Sequence, residues 1–132
     1  MSMLLAAHSG VRWLVILIAL VVLVKFIWGW LGQRPYAAMD RTLAKVFAGV
    51  VDLQVLLGII YLLWSGFAGA GFPRHRVEHG VTMILVAVAA HFAARGKGAS
   101  DAARFRNATI AILVTLLLVY AGVAVLPGGW SR

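Results

Sequence analysis

The chain has no cysteine, three prolines and four acidic residues among 132. Without a thiol there are no disulfides, thiolate metal sites, iron–sulfur clusters or covalent c-type haem attachment, so metal chemistry has to rest on histidine, methionine or carboxylates. Charge is scarce as well: charged residues make up 12% of the chain, where a soluble domain carries about 25%. No Walker phosphate loop, G-x-S-x-G elbow or H-E-x-x-H zinc helix occurs, and no repeat of solenoid length is visible. The glycines of 66–71 and 96–98 lack the strand-to-helix setting of a phosphate loop and read as flexible linkers.

What is abundant is hydrocarbon. Hydrophobic residues are 63% of the chain and the mean hydropathy is +0.96. At about 20 residues per crossing, four spans are predicted: Val11–Leu31, Leu43–Trp64, Val77–Ala94 and Ala108–Leu126. None shows the polar–apolar alternation of a membrane β-barrel. The expected fold is all-α, a single integral-membrane domain built as an up-down-up-down four-helix bundle. Pro35 and Pro127 fall where helices should stop, and Pro73 where the third should open. The first run has neither a basic n-region nor an A-x-A cleavage pattern, so it is expected to remain as a span.

Orientation follows from the bases. Lys25, Arg34, Arg41, Lys45, Arg95, Lys97, Arg104 and Arg106 gather at one side, against Arg12, Arg74, Arg76 and Arg132 at the other. The positive-inside rule places the first group in the cytoplasm and both termini outside. Trp13, Trp64 and Trp130 would then belt the outer interface, and Trp28, Trp30 and Tyr36 the inner one. The net charge of +8 sits beside the membrane, where topology and anionic headgroups account for it without nucleic acid.

With helices one and three both running inward, His8 and His79 fall at one outer depth. Two imidazoles on different helices at one level can hold a haem iron from both faces. Arg12, one turn after His8, is placed to pair with a propionate; Gly10 and Gly80 remove bulk near each histidine; Met83, one turn below His79, can pack on the ring edge or act as a ligand. A rival grouping is His75 and His79 at i and i+4 with Glu78 nearby, a spacing that suits zinc or copper but lacks further ligands. Solvated polarity is the preferred reading of His75.

A second polar layer lies toward the inner face. An ion pair between Lys25 and Asp52 is expected there, with Gln54 or His91 satisfying what remains; a proton or quinone site is the functional alternative. His79 and His91 are about 120° apart around their helix, which favours one haem over two. The small faces through Ala87, Ala90 and Ala94, and at Gly49 and Gly58, allow close helix approach or docking onto a larger complex.

Three stretches, His8-Ser9-Gly10-Val11-Arg12-Trp13, Asp52-Leu53-Gln54-Val55-Leu56-Leu57-Gly58 and Val77-Glu78-His79-Gly80-Val81-Thr82-Met83, resemble short bacterial four-helix membrane proteins labelled cytochrome b. The resemblance implies a bacterial inner-membrane protein that binds haem b. Where larger b-type bundles carry a second histidine pair, this chain has Asp52. The expected function is a b-type haem protein with one haem on His8 and His79, passing electrons between a quinone or outer redox partner and a membrane complex. The alternative is a cofactor-free accessory subunit of a respiratory or photosynthetic complex. A minimal transporter, with Asp52 lining a wet path, is a third reading.

Overall fold

The computed structural model describes residues 2–131; Arg132, counted above among the outward bases, lies outside that range. Four long helices form, α1 (Ser2–Leu31), α2 (Ala38–Ser65), α3 (Arg74–Ala94) and α4 (Asp101–Ala124), and all four are long and apolar enough to cross a membrane. The protein is a multi-pass four-helix bundle. Each helix packs on its two neighbours in the ring α1–α2–α3–α4–α1, as short connections between antiparallel helices dictate. Both termini therefore share one end of the bundle, called here the terminal end, and loops 32–37 and 95–100 share the other, the loop end.

The helices overrun the expected spans. Helix α1 begins at Ser2, so His8 lies inside it, and α4 begins at Asp101, where the Ser100 hydroxyl accepts from the Ala103 amide at 3.1 Å as an N-cap. Pro73 is the N-cap of α3. The stretch expected as a flexible linker at 66–71 is wound instead: Gly66–Ala70 continues α2 as a π-helical turn, with Gly69 and Gly71 at φ of 120° and 69° that only glycine adopts readily. Arg76 pins this turn by donating to the Gly71 carbonyl at 3.1 Å and to the Ser65 hydroxyl.

The core sits toward the loop end, around Phe26, Phe47, Phe105, Val22, Val51 and Ile112, all essentially inaccessible. Phe26, Tyr36 and Phe105 meet edge to face with centroids 5.0 to 6.1 Å apart, an arrangement that matches the ring quadrupoles. Gly29 makes this possible, because a Cβ there would stand 2.6 Å from the Phe105 ring. Tyr36 corrects an expectation. It is buried rather than interfacial, and burial holds its phenol above the usual pKa against the opposing pull of the Arg41 guanidinium.

At the terminal end the chain closes on itself. After Pro127 the backbone turns, and Trp130 stacks on Tyr120 (6.1 Å, 20°), meets Trp13 (6.2 Å) and donates its indole N–H to the Tyr120 carbonyl at 3.3 Å.

Candidate functional site

His8 and His79 lie on α1 and α3, which face each other across the ring of helices. Their ring centroids are 6.3 Å apart and their planes stand at 88°. Each is oriented by a different helix. His8 Nδ1 lies 3.1 Å from the Gln54 carbonyl of α2, and His79 Nδ1 lies 2.7 Å from the Gly122 carbonyl of α4. A carbonyl only accepts, so Nδ1 is the donor in each ring. Four helices thus orient the two imidazoles, each through Nδ1.

These rings line a cavity of about 220 Å³ at the terminal end, walled mainly by apolar side chains such as Val51, Met83, Val86 and Val119. Arg12, Gln54, Tyr61, His75 and Arg76 supply its polar lining. The Arg12 guanidinium stands over the rings of Trp13 and Trp130, at 5.0 and 5.6 Å. The Gln54 carboxamide oxygen is buried in the wall and has no hydrogen-bond partner among the described residues, a costly state that a bound group or ordered water would relieve. Met83 is buried, with its methyl group against Gly122.

With bonds of about 2 Å from metal to imidazole nitrogen, two histidines that shared one metal would bring their ring centroids to about 6 Å, close to the 6.3 Å found. The Nδ1 contacts to carbonyls are the outer partners that metal-bound histidines ordinarily have. His8 and His79 would be the residues to hold a haem here, and such a group would supply one-electron chemistry. The zinc or copper grouping does not form: Glu78 is taken by Arg74 at 2.6 Å, and among the described residues no three metal-ligating side chains converge.

Several expected placements are corrected. Gly10 is exposed, with nothing near its would-be Cβ, and so makes no room at the site. The glycine that does is Gly58, where a Cβ would stand 2.8 Å from His8 Cε1. Gly58 thus accommodates an imidazole and not a neighbouring helix. Gly58→Leu is expected to displace His8 from the Gln54 carbonyl while leaving the helices formed; the imidazole NMR resonances would shift and circular dichroism would stay unchanged.

The inner polar layer is split into three places. Lys25 pairs with Asp40, which is buried, and not with Asp52. The flexible lysine stem reaches the start of α2, where Asp40 also accepts from the Ala37 amide at 2.9 Å. Asp52 pairs instead with His91, whose Nε2 lies 2.9 and 2.8 Å from the two carboxylate oxygens, and this pair is exposed on the outside of the bundle rather than buried. Gln54 belongs to the histidine cavity. Gly122 and Tyr61 are site residues that helix counting passes over, while Gln54, expected in the inner polar layer, and Gly58, expected at a helix contact, are found here instead, because these roles come from backbone carbonyls, missing atoms and helix rotation. No family model, curated protein or solved structure matches this chain.

Proposed function

We propose that the protein is a b-type haem protein of a bacterial inner membrane, with both termini outside and one haem held near the outer face by His8 and His79. One observation carries this reading: two imidazoles, each tied through Nδ1 to a carbonyl of a different helix, stand with ring centroids 6.3 Å apart. One-electron iron chemistry is what such a group supplies when bound. The chain's own contribution is to orient both rings through Nδ1, to wall the cavity with the apolar Met83, Val86 and Val119, and to place the cationic Arg12 and Arg76 in its polar lining. Electron exchange with a quinone or an outer redox partner, and delivery to a membrane complex, is the role that follows.

An optical spectrum of the protein purified in mild detergent tests the reading. A Soret band with sharp reduced α and β bands is the expected result. A colourless protein that cannot be reconstituted with haem and co-purifies stoichiometrically with a multisubunit complex would replace this reading with that of an accessory subunit.

A further inference from the structure

We propose that the groove between the end of α1 and the loop 32–37 binds the phosphodiester of an anionic, glycerol-headed phospholipid such as phosphatidylglycerol, drawn from the leaflet at the loop end. This groove encloses about 230 Å³, and its lining includes Lys25, Trp28, Arg34, Met39, Asp40 and Phe105. It stands at the opposite end of the bundle from the histidine cavity, so nothing in it depends on haem.

The charged lining offers donors alone. Both carboxylate oxygens of Asp40 are engaged, one by Lys25 and the other by the Ala37 amide, and the residue is 2% exposed, so it presents no acceptor to an incoming group. Lys25 spends one of its three N–H donors on Asp40 and is 35% exposed. Arg34 lies with its guanidinium carbon 4.0 Å from the centre of the Trp28 ring. Stacking occupies the flat face of a guanidinium and leaves its five N–H groups around the edge, where those of Arg34 meet no hydrogen-bonding partner among the described residues. Two cations against one carboxylate leave a single positive charge, which the single negative charge of a phosphodiester balances. An arginine fork suits phosphate oxygens in geometry as well as charge.

Depth and surroundings select a lipid over a soluble anion. Lys25 stands six residues before the last residue of α1, about 9 Å along the axis, and its stem lets the ammonium reach toward the headgroups. From Trp28 an exposed apolar stripe runs back along α1 through Val24, Val21 and Leu17, and Leu31 and Met39 beside the groove are exposed too. An acyl chain lies along such a stripe; a free phosphate has no use for it. A lipid whose head adds an ammonium, such as phosphatidylcholine, brings a further cation to a groove with no exposed carboxylate to receive it. Basic pockets beside transmembrane helices hold anionic headgroups in this way.

The full chain, purified in mild detergent, is offered phosphatidylglycerol or phosphatidylcholine of the same acyl chains, and retained lipid is counted by native mass spectrometry. One phosphatidylglycerol per chain is expected to be retained, in preference to phosphatidylcholine. Arg34→Gln is expected to lower that retention about fivefold, the scale of one basic side chain at an anionic surface. Trp28→Leu, which keeps every charge and removes the stacking platform, is expected to lower it as well. Arg106→Gln, at an exposed position of the same end where the guanidinium bonds to Asn107, is expected to leave it unchanged. Circular dichroism confirms that the variants fold. Equal retention of the two lipids, retention unchanged by Arg34→Gln or Trp28→Leu, an equal loss with Arg106→Gln, or displacement of the lipid by an equimolar amount of inorganic phosphate would each overturn the proposal.

Discussion

Replacing His79 with alanine is expected to abolish the sharp reduced α band and strip most of the haem from the purified protein, with His8→Ala behaving alike. Removing only an outer partner of a metal-bound histidine costs about 10- to 100-fold in affinity, and removing the ligand itself is expected to exceed that. The two variants are not redundant, because His79 draws its orientation from α4 and His8 from α2. Added imidazole is expected to restore part of the α band in either variant, since a small diffusible base can enter the space vacated inside an otherwise intact cavity. Unchanged spectra in both variants would remove these residues from any haem site.

Loss of Lys25 is expected to be the most destabilising single change outside that cavity. Asp40 is 2% exposed and its charge is balanced by Lys25, so Lys25→Met would leave a buried carboxylate without its counter-charge, at about 3–5 kcal/mol. Lys45→Met, at an exposed position one turn further along α2, is expected to cost far less. The double change of Lys25→Met with Asp40→Asn should recover much of the loss, because the asparagine oxygen can still accept from the Ala37 amide and no charge is left behind. Unfolding in mixed detergent micelles, compared across the cycle of single and double variants, measures the coupling directly. Equal destabilisation by Lys25→Met and Lys45→Met would refute the assignment.

Depth was readable along this chain and rotation was not. Counting residues from the helix ends brought His8 and His79 to one level, and the antiparallel order did the rest. The same counting paired Lys25 with Asp52, and there it failed. These helices are apolar on all sides, so no amphipathic stripe announces which face looks inward; nothing in the run from Leu43 to Trp64 says that Asp52 points out while Gln54 points in. Lys25 adds a second difficulty, since its long stem lets the charge act well away from its Cα and Asp40 lies ahead of the expected second span, which starts at Leu43. Gly58 read only as a helix contact and Gly122 not at all for a different reason: their value lies in a missing side chain and in a carbonyl, neither of which has a sequence signature. Tyr36 was misplaced because an aromatic near a predicted boundary reads as a belt residue until its ring partners Phe26 and Phe105 are known.

The two carbonyls that hold the imidazoles have a consequence for how this protein is made. His8 of α1 is synthesised well before Gly122 of α4, so a nascent chain short of its fourth crossing cannot orient both rings. The paired arrangement of the two imidazoles is therefore completed only when α4 joins the bundle, as a single closing event of biogenesis.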